Sequence, residues 1–583
     1  MRKKTIATVC LSGTLEDKLA AAAEAGFDGI ELFENDLVVS PHSPAEIRRR
    51  CAGLGLSIDL YQPFRDFEAV PPDVLAANLR RAERKFDVMA ELGADTVLVC
   101  STVSPHAVDD DDLAAEQLHA LATRAADRGI RIAYEALAWG RFVNTYDHSW
   151  RIVRRADHPA LGLCLDSFHV LSRGSDIAAI RTIPGSKIFF LQLADAPRMH
   201  MDVLQWSRHY RLFPGQGAFD LSAFVEHVLS TGYSGPLSLE VFNDVFRQSD
   251  PHRAAVDAMR SLLLLCEHEL PTAPALSGHA FTELAVTGPE IANALAGMGF
   301  THVGQHPAKP VQLWRQGAAR VVLNEGAGEI SALAVESADP ARSIARAEAF
   351  RSPELSREQV SLPGVEAPDG TAVFFCGDGW QGDFEPTGLA EDDGAGLTRT
   401  DHVSLSQPFD NFDEAALFYR TVLGLRPELP TEFAAPFGLI RSRAVTNAAR
   451  DVRISLNVSL LRRGEWAPGV PDPQHVAFAT DDVFASARAM REKGAPLLEI
   501  PDNYYDDLDA RLALSPELLA SLREYSVLYD RDGDGEFLHF YTELLGSRVF
   551  FEVVQRVGGY LGYGAVNAPV RMAAHRRLRL ARA

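Results

Sequence analysis

The sequence predicts an α/β protein: an N-terminal (β/α)8 TIM barrel followed by an α+β half built from a repeated module. Three observations predict it. Apolar strand-like runs alternate with helical patterns eight times over roughly 265 residues, the rhythm and size of such a barrel. Oxygen-bearing side chains stand at the ends of strands five to eight, as Glu135, Asp166, Gln192 and Glu240. Beyond residue 280 the rhythm changes to short strands around single helices, and that layout starts again at 401, which is the mark of an internal repeat.

Residues 4–10 read as the first strand. An Ala-rich helix over 15–25 is closed by Gly26. Strand two is 29–33, carrying Glu31, and Ser43 caps a helix to residue 54. Strands three to eight fall at 57–61, 96–100, 131–135, 161–165, 187–193 and 237–241, with helices at 74–92, 111–129, 149–156, 221–231 and up to Cys266. The run Gly162–Leu171 has two readings. An apolar strand can deliver Asp166 and His169 to a catalytic rim, or Asp166 can cap a helix against which His169 packs. Four oxygen ligands from successive strands favour the rim, because such donors suit a hard divalent ion such as Mg or Mn.

Composition sets limits. A chain of 583 residues needs two to four domains. The net charge of −22 argues against a nucleic-acid surface, although a local basic pocket for a small anion remains compatible with it. No apolar run approaches the ~20 residues that span a bilayer, and the first residues read as a strand and not as a signal peptide. Six scattered cysteines suit a reducing cytoplasm and disfavour a disulfide framework or a thiolate zinc site.

The segments 26–33 (GFDGIELF), 133–136 (AYEA), 165–169 (LDSFH), 190–195 (FLQLAD) and 235–244 (GPLSLEVFND) resemble the xylose-isomerase-like family of divalent-metal barrels. The segments 61–68 (YQPFRDFE) and 206–217 (WSRHYRLFPGQG) narrow this to a resemblance to bacterial 3-dehydroshikimate dehydratases. That resemblance implies a hydro-lyase that converts 3-dehydroshikimate to protocatechuate in quinate and shikimate catabolism. It implies Glu135, Asp166, Gln192 and Glu240 as ligands of Mg, Mn or Co. The chemistry removes a proton α to a ketone and passes through an enediolate, so a neutral base is needed nearby. His169 is the candidate. Arg65 is expected to grip the substrate carboxylate with a two-pronged contact and assist catalysis, and Arg211, Ser207 and His209 to bind substrate from the loop after strand seven. Glu31, Asn144, His148 and Asp195 are supporting candidates.

The domain boundaries expected are a barrel over 1–268, a linker over 269–279, modules at 280–380 and 400–570, and a basic tail over 571–583. The segments 401–403 (DHV), 418–425 (FYRTVLGL), 474–480 (QHVAFAT) and 550–556 (FFEVVQR) resemble 4-hydroxyphenylpyruvate dioxygenase, of the vicinal-oxygen-chelate fold. Position by position, that family's metal set falls on His402, His475 and Glu552, implying Fe or Mg. The strand 537–542 (FLHFYT) puts His539 where the family has Gln, and Ala568 stands at an aromatic position. A divergent dioxygenase-like domain without 4-hydroxyphenylpyruvate turnover is expected. Two alternatives are a bifunctional chain with an active iron half, and a sugar or hydroxypyruvate isomerase barrel with a structural C-terminal domain. Arg65 and Arg211 weigh against the isomerase, since a neutral sugar needs no pair of guanidinium groups. The expected partner is a small molecule, with neither nucleic acid nor membrane, and a cytoplasmic homo-oligomer is expected.

Overall fold

A computed structural model describes residues 2–266, 268, 270–356, 362–391, 394–436, 438–460, 473–546 and 548–582. The chain divides into two units, Met1–Glu269 and Leu270–Ala583.

In the first unit, β1 (Lys4–Ala7), β2 (Gly29–Phe33), β3 (Ser57–Phe64), β4 (Thr96–Cys100), β5 (Arg131–Glu135), β6 (Leu161–Asp166), β7 (Ile188–Leu193) and β8 (Leu237–Leu239) form a closed parallel barrel. β1 pairs with both β2 and β8, which completes the ring. β4, β6 and β7 are buried at every position, as strands covered on both faces must be. Leu60, Leu98, Cys100, Ala133, Cys164 and Phe190 pack together from β3 to β7. Register then decides chemistry. Cys100 lies opposite Glu135, and Asp166 opposite Gln192, so the polar strand ends share one rim.

Local signals explain the helices. Thr14 and Asp17 form a reciprocal capping box before helix Leu15–Ala25, and Gly26 ends it at a φ of 90°. Ser43 caps helix Pro44–Gly53. Four details differ from the sequence reading. The first strand stops at Ala7, and residues Thr8–Cys10 turn as a 3-10 helix. A short helix, Glu34–Val39, follows β2. β3 runs on to Phe64 and so carries Gln62 into the barrel mouth. The loop after β7 contains helix Val203–His209, capped by Asp202.

The second unit holds two sheets. Strands β9 (Leu276–Val286), β10 (Thr301–Gln305), β11 (Gln312–Gln316), β12 (Ala319–Glu325), β13 (Glu329–Ser337), β14 (Gly364–Glu366), β15 (Ala372–Cys376) and β16 (Glu385–Pro386) make the first, in the order β14-β15-β13-β9-β12-β11-β10-β16. The second contains β17 (Leu397–Ser406), β18 (Arg426–Pro427), β19 (Thr431–Ala435), β20 (Gly438–Thr446), β21 (Arg453–Ser459), β22 (Gln474–Thr480), β23 (Leu528–Arg531), β24 (Gly535–Tyr541) and β25 (Val549–Gly558). Its order is β18-β20-β21-β17-β22-β25-β24-β23, with β19 on β20.

Three expected boundaries shift. Residues 276–279 of the expected linker belong to β9, because Leu276 and His279 pair with Ser337 and Val335 of β13. Residues 385–386, expected between modules, pair with β10 as β16. The expected basic tail is helix Ala568–Arg582, and His575 on it is only 3% exposed and bonds the Thr542 carbonyl through Nε2. Among the described residues no helix is long and apolar enough to cross a membrane.

Glu68 follows β3, fully buried, and accepts from the Thr102 N–H at 2.7 Å and the Tyr134 hydroxyl at 3.0 Å. Burial raises its carboxyl to about 7, only partly offset by those donors. The folded state therefore keeps a proton that the unfolded chain loses above its ordinary value of 4.5. Stability falls as pH rises through that window, by about 3 kcal/mol at most. Glu68→Gln should flatten the pH dependence of the urea midpoint between pH 5 and 8; an unchanged dependence would show that Glu68 carries no buried proton.

Candidate active site

β5, β6 and β7 end in or carry Glu135, Asp166 and Gln192, and Glu240 follows β8 directly; all four are at most 5% exposed. Asp166 performs two tasks at once. Its Oδ1 accepts the Phe168 N–H at 2.6 Å and caps helix Ser167–Ser172, while Oδ2 accepts from Arg211 at 2.7 Å. One carboxylate oxygen thus makes the helix cap of the second reading of the Gly162–Leu171 run, and the other turns to the arginine that also meets Glu240.

Glu31 organises the floor of the site. It accepts from the Ser238 hydroxyl, from Gln62 Nε2 at 3.1 Å and from Gln192 Nε2 at 2.6 Å. Gln192 is thus anchored by its nitrogen, which leaves Oε1 as the outward-facing donor atom, 3.2 Å from Cys164 Sγ. Gln62 also donates to Glu240 Oε1 at 2.8 Å. Burial, followed by the charge of Glu240, raises both Glu31 and Glu135 well above the usual carboxylate range. Asp166 is instead lowered, because Arg211 and His169 outweigh its burial.

Glu135 Oε1 is buried without any hydrogen-bond partner. One ligand atom each from Glu135, Asp166 and His169 lie within 4.8 Å of one another. A buried set of hard oxygen donors, one of them orphaned, fits a divalent cation.

His169 is 4% exposed, and burial lowers its imidazole to about 3, with Arg211 and Arg65 adding to the effect against Asp166. It is neutral at pH 7. The Ala138 N–H faces Nδ1 at 3.2 Å, and the Arg211 guanidinium faces Nε2 at 3.3 Å. A neutral ring can accept only one of these.

Arg211, expected to bind substrate, lines the cavity as Ser207 does, with its donors already engaged. It is 1% exposed and its donors are taken by Asp166, by Glu240 Oε2 at 3.2 Å and carbonyl at 3.0 Å, and by Ser207 Oγ at 2.9 and 3.2 Å. Ser207 thereby orients Arg211. His209 lies off the site: its Nδ1 is 2.9 Å from Asp244 Oδ2 and the side chain is 41% exposed. Arg65 lines the cavity together with Glu135, Trp139, His169, Arg208 and Glu240. His148 pairs with Asp111, and Asn144 bonds the Gly140 carbonyl and Arg173, away from the carboxylates. Gln62, Trp139 and Arg208 escaped the sequence reading. Gln62 had a signal, its place at the end of strand three within the 61–68 segment; Arg208 had none beyond its place in a polar loop.

The second unit brings together His402 on β17, His475 on β22 and Glu552 on β25. His475 Nε2 is 3.3 Å from His402 Nε2, and Glu552 Oε2 is 3.3 and 3.0 Å from those two nitrogens. Asp401 meets His402 Nδ1 at 2.8 Å and is itself held by Arg453 and Arg556. That contact puts a proton on Nδ1 and aims the Nε2 lone pair inward, as a metal ligand requires. His539 Nδ1 lies 2.7 Å from Glu552 Oε1, so the substituted residue supports the carboxylate. Two imidazoles and one carboxylate at these distances fit a divalent ion. A cavity of about 100 Å³ beside them is lined by Phe433, Asn457, Tyr541, Tyr563, Ala568 and Arg571 among others.

Family profiles match the chain in three stretches: xylose isomerase-like TIM barrel over 19–264, hydroxyphenylpyruvate dioxygenase N-terminal over 272–359, and the glyoxalase/bleomycin resistance protein/dioxygenase superfamily over 399–516. A 3-dehydroshikimate dehydratase of Pseudomonas putida is 45% identical across 99% of this chain and 98% of its own. One from Pseudomonas aeruginosa is also 45% identical, over 98% of each chain. The chain belongs to the 3-dehydroshikimate dehydratase family. A solved structure described as a xylose isomerase-like TIM barrel/4-hydroxyphenylpyruvate dioxygenase fusion protein superposes with a TM-score of 0.92 at 44% identity, covering 99% of this chain and 100% of that one. The matches to these dehydratases run through both units.

Two predictions follow from these supports. Asp195, 1% exposed, accepts from the backbone N–H groups of Ala196, Gly215, Gly217 and Phe219 and so fastens the loop that carries Ser207 and Arg211. Asp195→Ala should cost about 3 kcal/mol in denaturant unfolding, because buried donors are orphaned; a loss under 1 kcal/mol would refute the anchor. Asp401→Ala should weaken metal retention in the second unit about 10- to 100-fold, read by metal analysis after dialysis.

Proposed function

We propose that the barrel removes water from 3-dehydroshikimate to give protocatechuate, and that this chain is a cytoplasmic enzyme of aromatic catabolism. The observation that carries the reading is the buried set Glu135, Asp166, Gln192 and Glu240, of which Glu135 and Glu240 line a cavity that Arg65 and Arg208 also line. A divalent cation, Mg, Mn or Co, held by those four side chains would stabilise negative charge on the substrate carbonyl oxygen. Arg65 and Arg208 pair with the substrate carboxylate and fix its orientation. That charge requirement favours an acid substrate over the neutral sugar of an isomerase. Gln62 and Glu31 keep Glu240 and Gln192 in place through amide hydrogen bonds. Trp139, Leu137 and Phe242 wall the cavity and exclude water.

His169 transfers the proton at Nε2. In the first reading it takes the proton α to the ketone, after which the β-hydroxyl departs with a proton as water. The Ala138 contact at Nδ1 favours a second reading, in which Nε2–H donates to an oxygen of the substrate. The two differ in one variant. His169→Gln keeps a donor and loses the base, so it should be as inactive as His169→Ala, about 10³-fold down, if His169 is the base. Retained activity in the Gln variant alone assigns the donor role.

Purified chain, a divalent salt and 3-dehydroshikimate should produce the ultraviolet absorption of protocatechuate. Glu135→Ala should lose the ion and turnover together. No product from metal-loaded enzyme would sink the dehydratase reading. For the second unit, His402, His475 and Glu552 are proposed to hold Fe or Mg in a domain that does not turn over 4-hydroxyphenylpyruvate. His475→Ala should therefore leave protocatechuate formation within a factor of two or so.

A further inference from the structure

The barrel mouth continues into a larger groove of about 600 Å³ that shares Pro63, Arg65 and Arg208 with the catalytic cavity. The groove is basic in a strongly acidic chain. Arg65, Arg81, Arg84, Lys85 and Arg208 line it against two carboxylates, Glu34 and Asp66. The fold builds this concentration on purpose-shaped elements. Arg81, Arg84, Lys85 and Val88 recur at helical spacing on one face of helix Pro72–Leu92, and Arg208 comes from helix Val203–His209.

Most of these charges are uncompensated. Lys85 pairs with Glu34 and lies over the Tyr61 and Phe64 rings. Arg84 reaches Asp87 only at 3.5 Å with its side chain 87% exposed, a contact of little worth in water. Arg81 stacks on Phe64 and donates to the Arg65 carbonyl at 2.5 Å, which uses a neutral acceptor. Among the described residues Arg65, Arg81 and Arg208 make no salt bridge. The mutual repulsion is felt at Arg208, whose pKa is lowered by burial and then by Arg65 and Arg211. Unpaired guanidinium groups held around one concavity constitute a site for carboxylate.

We propose that this groove is a capture site for the carboxylate of an anionic substrate, occupied before the substrate moves inward and hands its carboxylate to Arg65 and Arg208. The proposal rests on the dehydratase reading for the identity of the anion. A chain of net charge −22 repels such a substrate at long range, and the basic patch reverses the sign of the field at the mouth. Arg81 and Arg84 belong to the groove alone, whereas Arg65 and Arg208 belong to both cavities. Arg81 also donates to the Arg65 carbonyl, so it is the salt dependence, which a structural disturbance of Arg65 would not show, that separates capture from catalysis.

The test compares kcat/KM for 3-dehydroshikimate across ionic strengths in the full chain, in an Arg81→Glu, Arg84→Glu double variant, and in Arg49→Glu, an exposed position on helix Pro44–Gly53 that does not line the groove. The double variant should lose about tenfold in kcat/KM at low salt, and most of that loss should vanish near 0.5 M salt, where screening acts within a few Å. Arg49→Glu should follow the wild type. A double variant with wild-type kcat/KM and wild-type salt slope, or an Arg49→Glu chain equally impaired, would overturn the proposal. If the wild type binds 3-dehydroshikimate without converting it, the dehydratase reading fails separately, and the dissociation constants of the same three chains decide the capture site by the same pattern.

Discussion

Buried negative charge at the mouth of the barrel is the constraint on which its architecture depends. Glu31, Glu135, Asp166 and Glu240 are all withdrawn from water, and one guanidinium, Arg211, stands among them. Such a cluster is tolerated only if donors and cations surround it. The surroundings follow from that demand. Gln62, Gln192 and Ser238 turn their hydrogen-bond donors toward Glu31. Ser207 holds the Arg211 guanidinium from the other side, and Asp195 ties down the loop that brings both. The loop after β7 therefore contributes electrostatics to the strand ends, and its pinning is part of the same balance.

The strand ends were legible because parallel barrels expose their chemistry in sequence. β5 and β6 end in Glu135 and Asp166, β7 carries Gln192 next to its last residue, and register sets Gln192 opposite Asp166. The loop was not legible in that way. The residues of 206–217 have no period that says which side chain points inward, and the short helix Val203–His209 decides it. Ser207 and Arg211, four apart, meet one another, while His209 between them faces Asp244 at the surface. Arg208 turns to the cavity mouth, a fact that depends on helix phase and not on residue type. The C-terminal helix escaped for a related reason. Its Arg-rich sequence reads as solvated, but His575 and Arg571 lie on the face that packs against Phe550.

The two centres solve the problem of holding a cation differently. The barrel set offers oxygen from three carboxylates and one amide, with the Arg211 guanidinium among them. The second unit offers two imidazoles and one carboxylate, and keeps its compensating charges one layer out, with Arg453 and Arg556 on Asp401. Asp401 and Glu552 are both held below the usual carboxylate range despite burial, Asp401 by His402 and Arg556 and Glu552 by the three histidines.

The same contrast explains why substrate recognition must be solved outside the barrel cluster. Arg211 is consumed by the ligand carboxylates, so it cannot also serve an incoming acid without abandoning Asp166 and Glu240. Arg65 and Arg208 line the cavity without a salt bridge among the described residues, and the proposed function gives the substrate carboxylate to them. An acidic protein that processes an acidic substrate thus separates two kinds of arginine: one that neutralises the chain's own carboxylates at depth, and a set left unpaired at the mouth. Arg81 and Arg84, farther out, line only the groove and do not line the cavity of the buried cluster.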